Sequence, residues 1–168
     1  MTKNGLTKPG LTEPGCNDLY EISDEPGRLD IDAIHAYLAR SYWSPGIPRD
    51  IVERAVRNSL CFGVYQRATG AQVGRARGAQ VGFTRVVTDH ATFAYLCDVY
   101  VLEEHRGHGL GKAMIHAALA HPALSGARRV MLATRDAHGL YRQYGFADVI
   151  RNTNLMEIVR PDIYTRYS

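Results

Sequence analysis

Between residues 105 and 114 the chain reads HRGHGLGKAM, with Gly107, Gly109 and Gly111 alternating with other residues between Arg106 and Lys112. Glycine in or near a helix costs roughly 0.5–1 kcal/mol relative to alanine, so this stretch requires bare backbone close to something. Residues 110–121 read as a helix stopped by Pro122. A helix start offers unpaired N–H groups and the positive end of the helix dipole, and glycines let an oxyanion approach both. Arg106 and Lys112 add positive charge on either side, and the stretch has the chemistry of a pyrophosphate site. Spacing excludes two common phosphate loops. A G-x-x-x-x-G-K-S/T loop would need glycine at Arg106 and a hydroxyl at Ala113; a G-x-G-x-x-G loop would need glycine at Lys112 or Met114.

Two further side chains have chemistry in them. Asp98 is the one acid in the apolar and aromatic run TFAYLCDVYVL, residues 92–102. A carboxylate there needs a partner. It can accept a proton through water, hold a cationic substrate, or stand as a satisfied structural acid. Tyr141 lies in DAHGLYRQYGF, residues 136–146. A phenol titrating near 10 is protonated at neutral pH and can give its proton to a thiolate; otherwise it packs. His105, His108, His116 and His121 lack metal-ligand spacing, since 116 and 121 are not a helical i, i+4 pair, and no metal is expected. Cys16, Cys61 and Cys97 are odd in number and form no C-x-x-C, which excludes a disulfide framework and a structural zinc. A reduced, cytoplasmic setting is expected.

The elements that must position these residues follow from pattern. Residues 1–17 read as a mobile tail and 18–168 as one domain, in a chain of 168 residues that can bury a core. A strand at 17–23 precedes a helix over 31–43, capped by Asp30, and a second helix over 48–59 opened by Pro48. Strands are expected at 60–66, 81–89 and 92–102, then the 110–121 helix, a strand at 128–134, a short helix at 136–145 and a last strand at 154–160. Two octapeptides, RATGAQVG and RARGAQVG, stand in tandem over 67–82 and read as a duplicated hairpin turn. Eight is even, so either copy enters the next strand without reversing its faces. The order predicts an α/β (α+β) fold, a mixed sheet with helices on its faces. A formal net charge of +3 is too small for a nucleic-acid surface but suits an anionic cofactor. No run approaches the roughly 20 apolar residues of a membrane span.

These residues carry a resemblance. The stretch from Val101 to Lys112 resembles the central motif of the GNAT superfamily of acetyl-CoA-dependent N-acetyltransferases, Q/R-x-x-G-x-G/A, met here by Arg106, Gly109 and Gly111. DAHGLYRQYGF resembles the superfamily's A-x-x-L-Y-x-x-x-G-F. The resemblance implies a mostly antiparallel central sheet whose middle strand is splayed. It implies that backbone near Tyr100 and Val101 holds the pantetheine arm and polarises the thioester. Arg106, Gly107, His108, Gly109, Leu110, Gly111 and Lys112 would hold the CoA pyrophosphate; Thr134 and Asp136 read as the end of a strand and the cap of the next helix, in a segment that contacts CoA in relatives. Tyr141 would be the acid for the departing thiolate, and Asp98 a catalytic or substrate-binding carboxylate. Tyr42 and Trp43 fall where the superfamily shapes its acceptor pocket, and equally read as core aromatics. YLCDVYV is also similar to a segment of diamine acetyltransferases, but Cys97 replaces their glutamate, so a polyamine acceptor is not implied. The implied partner is a small-molecule or peptide amine, with no nucleic acid and no membrane, and a homodimer is compatible. The same fold and CoA site would also serve a non-catalytic acyl-CoA-binding sensor or partner-binding module.

Overall fold

The computed structural model describes residues 18–67, 78–149, 155–160 and 164. The expected tail at 1–17 and the centre of the tandem octapeptides lie outside the described residues. Five strands form one sheet in chain order: β1 (Tyr20–Ser23), β2 (Leu60–Gln66), β3 (Gln80–Thr88), β4 (Phe93–Val101) and β5 (Arg129–Leu132). All neighbours are antiparallel except β4 and β5, which are parallel. The helices are α1 (Ile31–Leu38), α2 (Arg49–Arg57), α3 (Leu110–Ala120) and α4 (His138–Arg142).

The sheet buries both faces. On one, Ile34 and Leu38 of α1 and Val52 and Val56 of α2 pack on Cys61, Phe83 and Tyr100. On the other, Leu110, Met114, Ile115 and Ala118 of α3 pack on Phe62, Val64, Val86, Ala94 and Leu96, and Tyr141 of α4 joins them. Helices on both faces of a mixed sheet are the arrangement that the element order predicts.

Two expectations differ from the structure. The helix expected over 31–43 ends at Leu38. Ser41 stops it: its hydroxyl donates to the Leu38 carbonyl at 2.7 Å and accepts from the Ser44 N–H at 3.2 Å, offering the backbone an alternative to helix. Gly46, at φ 69°, then closes the turn by donating its N–H to the Ala39 carbonyl at 2.9 Å. The strand expected over 154–160 does not form among the described residues. Leu155 to Arg160 lie outside the sheet with Met156 98% and Ile158 87% exposed. Their apolar residues fall in adjacent pairs, 155/156 and 158/159, which gives a strand no single apolar face.

One irregularity in β4 matters for function. Arg85 of β3 faces Cys97, but Phe83 faces Tyr100, so three steps on β4 oppose two on β3. The extra residue is accommodated by Asp98, whose φ is 55°. Aspartate is among the few side chains that enter this left-handed region readily. The bulge reverses the faces of the strand. Ala94 and Leu96 point to the α3 side, whereas Tyr100, of the same parity, packs on the α1/α2 side.

Candidate active site

The parallel pairing of β4 and β5 runs from Phe93–Arg129 to Leu96–Leu132 and stops there. Past Leu96 the two strands have no register partners in each other, and the β4 residues from the bulge onward face a gap. A cavity of about 550 Å3 fills it. Its walls are Tyr95 to Val101 of β4, Ala133 and Thr134 beyond β5, Leu140 and Tyr141 of α4, and Tyr37, Tyr42 and Trp43 from the α1 side. The splayed middle strand expected from the sequence is this gap.

A second hollow of about 450 Å3 is lined by Val101, His105, Arg106, Gly107, Gly109, Leu110, Gly111, Lys112 and Leu140. It shares Val101, Arg106, Gly111 and Leu140 with the first, so the two hollows adjoin along these residues. Gly107 and Gly109 have φ of 83° and 75°, in the region that favours glycine. Gly109 stands at the N-cap of α3 without any side-chain cap hydrogen bond. A Cβ built on Gly111 meets nothing within 4 Å. An uncapped helix start with open space in front of it fits a phosphate.

Arg106 does more than supply charge. Its guanidinium donates to the Val101 carbonyl at 3.1 Å, to the Tyr37 hydroxyl at 3.3 Å and to Glu103 at 2.9 Å. It ties the glycine turn to the end of β4 and to α1. His108 is not among the lining residues; its ring stands edge-on to Tyr20 at 5.6 Å. His105 also turns to Tyr20, with Nδ1 2.9 Å from the hydroxyl. Lys112 lines the hollow, and its carbonyl accepts from the Tyr144 hydroxyl at 2.9 Å.

At the other end Tyr141 is 8% exposed, edge-on to Phe146 at 5.8 Å. Burial, with Tyr42 and Asp136 nearby, pushes its phenol up to about 12, so it stays protonated across the neutral range. Thr134 accepts the Ala137 N–H at 3.0 Å and so anchors the start of α4, which carries Tyr141. Asp136 lines the cavity and lies 3.7 Å from Arg135.

Asp98 is not a free acid. One carboxylate oxygen accepts from Arg85 Nε at 2.7 Å, and the other from Trp43 Nε1 at 3.1 Å. Burial works against the charge of Arg85, but the Asp98 carboxylate holds its guanidinium above the ordinary arginine value. Tyr42 packs edge-on against Trp43 at 4.9 Å. Tyr37 stacks face to face on Tyr100 at 3.7 Å, which fixes the wall opposite α4.

The structure therefore brings Tyr42, Trp43, Asp98, Tyr100, Val101, Arg106, Gly111, Thr134, Asp136 and Tyr141 to one cavity. Sequence reasoning missed Tyr37, Tyr95 and Arg85. Tyr95 carries a strand-parity signal, since it alternates with Ala94 and Leu96, which pack on the α3 side. Arg85 carries none, because its role depends on the bulge opposite it. No group of three His, Cys, Asp or Glu among the described residues is placed to hold a metal. Among the described residues no helix is long and apolar enough to cross a membrane.

Comparison with known proteins agrees with this geometry. Residues 57–148 match the family model for the acetyltransferase (GNAT) domain. A candidate acetyltransferase of Gibberella zeae, FG08082, is 38% identical over 135 residues, which is 73% of this chain and 75% of that one. A crystal structure of a candidate GNAT acetyltransferase from Xanthomonas campestris pv. campestris is 46% identical, with a TM-score of 0.78 over 87% of this chain and 96% of that one. Rv2747 of Mycobacterium tuberculosis, solved with CoA and NLQ, shares the fold at 19% identity and a TM-score of 0.56, over 77% of this chain and 72% of that one. The chain belongs to the GNAT family of acetyltransferases.

Proposed function

We propose that the protein is an N-acetyltransferase that moves the acetyl group of acetyl-CoA to an amine, by direct attack within a ternary complex. One observation carries this reading: adjoining hollows extend from the uncapped glycine start of α3 to the buried Tyr141, past β4 backbone that β5 does not pair. The co-substrate supplies an activated acetyl thioester. The N–H groups at the start of α3, with Gly107, Gly109, Leu110, Gly111 and Lys112, bind its pyrophosphate. The backbone at Tyr100 and Val101 orients the pantetheine arm and polarises the carbonyl as it gains charge.

The neutral amine nitrogen forms the new C–N bond while the C–S bond breaks. The surplus amine proton leaves to water, and Tyr141 gives its own proton to the departing sulfur and is recharged from solvent. With its phenol pushed up to about 12, Tyr141 carries its proton throughout the neutral range and has one to give.

Release of the CoA thiol is measured over a panel of small-molecule and peptide amines, with initial rates taken at varied concentrations of both substrates. Turnover with intersecting double-reciprocal lines is expected. Parallel lines would overturn direct attack, and tight acetyl-CoA binding without turnover on any amine would overturn the enzymatic reading.

A further inference from the structure

We propose that Arg85, Asp98 and Trp43 form a fixed chain that makes the Trp43 indole a wall of the acceptor cavity, and that this cavity selects an amine with a flat apolar body and no second positive charge. The proposal rests on the acetyltransferase reading above. Arg85 is anchored from behind by the Ser59 hydroxyl at 3.2 Å. It meets Asp98 in a pair whose side chains are only 19% and 9% exposed. Asp98 passes the constraint on to Trp43, which stands on the loop between α1 and α2 and is 39% exposed. Without that bond the indole would be a loop side chain held only by its aromatic neighbours. Asp98 is on this account a positioning residue, since both of its oxygens are engaged and it acts through Trp43.

The charges around the cavity decide the acceptor class. The lining residues include two acids, Asp98 and Asp136. The first is bonded twice, and the second lies 3.7 Å from Arg135, whose guanidinium stacks on Tyr42 at 3.9 Å. Among the described lining residues, then, neither carboxylate stands without a cationic neighbour, which leaves the cavity poorly furnished to receive a second ammonium group. What remains is aromatic surface: Tyr37, Tyr42, Trp43 and Tyr95. Such rings favour a flat apolar body carrying one amine over a flexible polycation.

Trp43 is the one tryptophan in the chain, so intrinsic fluorescence reports on it alone. Titrating 2-phenylethylamine into protein saturated with CoA, where no acetyl group can transfer, should change the emission saturably. It should bind at least about tenfold tighter than spermidine, the factor that about 1.4 kcal/mol represents. No response, or spermidine binding as well, overturns the selectivity. In turnover, Asp98→Asn should raise the amine KM about tenfold or more, the scale of a hydrogen bond to a charged partner, with kcat within about threefold. Its tryptophan emission should shift toward that of a more exposed indole. Trp43→Phe, on an open loop that folds whatever becomes of the Asp98 variant, should raise KM likewise, and the double variant should be no worse than the worse single one. A proton acceptor would instead lose about 10²–10⁴ in kcat in Asp98→Asn at unchanged KM. That result, or an unmoved tryptophan emission, overturns the chain. A saturable 2-phenylethylamine response with no acetylation of any amine would refute the catalytic reading and support the cavity's selectivity.

Discussion

Gly111 separates two reasons for a glycine at the start of a helix. At Gly107 and Gly109, with φ of 83° and 75°, any side chain is strained by about 1–2 kcal/mol whether or not a ligand is present. Gly111 has no such requirement. It lies within α3, and a Cβ there meets nothing within 4 Å. Gly111→Ala should therefore strengthen the helix by about 0.5–1 kcal/mol. At this chain length that raises Tm by roughly 1–4 °C. The family motif accepts alanine at this position, so acetyl-CoA affinity should hold within about threefold, well under 1 kcal/mol. Gly111→Leu keeps most of the helix gain, because leucine is nearly as good a helix former, but its side chain enters the space where the two hollows adjoin. The dissociation constant for acetyl-CoA should rise at least about tenfold, or 1.4 kcal/mol. Thermal melts and isothermal titration on the three proteins measure both quantities. Rising Tm with falling affinity is a combination that a merely structural glycine does not produce. A Gly111→Leu protein that binds acetyl-CoA like the parent refutes the pyrophosphate assignment.

Three other predictions follow from the same geometry. Tyr141→Phe keeps the packing against Phe146 and removes the proton donor, so kcat should fall at least about tenfold at unchanged acetyl-CoA affinity by titration; undiminished kcat, where chemistry limits turnover, would show that the ring only packs. Because burial holds the Tyr141 phenol at about 12, kcat should rise with pH as the amine deprotonates and show no decline below about pH 10; a decline near pH 9, abolished in Tyr141→Phe, would contradict this. Burial pushes the Cys61 thiol from 9.0 up to about 12, so the unfolded chain ionises first, and this contribution to stability is intact below pH 9 and lost as pH rises toward 12. By pH 10.5 the loss is about 2 kcal/mol at roughly 1.4 kcal/mol per pH unit, seen as a fall in the urea midpoint that is smaller in Cys61→Ala.

Much of the site was legible because it rests on local chemistry. The glycine turn, the helix behind it and the tyrosine on the short helix each show in a few consecutive residues. Helix spacing alone also places Ile34 and Leu38 in the core, where they are 0% and 2% exposed. The end of α1 was not legible, because IDAIHAYLARSYW continues a helical pattern past Leu38. What stops it is the side-chain bond from Ser41, and serine is compatible with either outcome.

The role of Asp98 was hidden for a different reason. A lone acid in an apolar strand signals that a partner exists, but the strand pattern puts Asp98 on the same face as Leu96 and Tyr100. The bulge breaks that parity. Asp98 takes a left-handed φ of 55°, Leu96 and Tyr100 pack on opposite faces, and the carboxylate meets Arg85 across the sheet. The strand loses its pairing to β5 after Leu96, close to where it reverses. The residue that accommodates the extra step in β4 is thus also the one that ties the sheet to Trp43. The gap and the wall beside it begin within two residues of each other on β4. Replacing Asp98 by a β-branched residue, which tolerates that φ poorly, should disturb the gap as well as the indole.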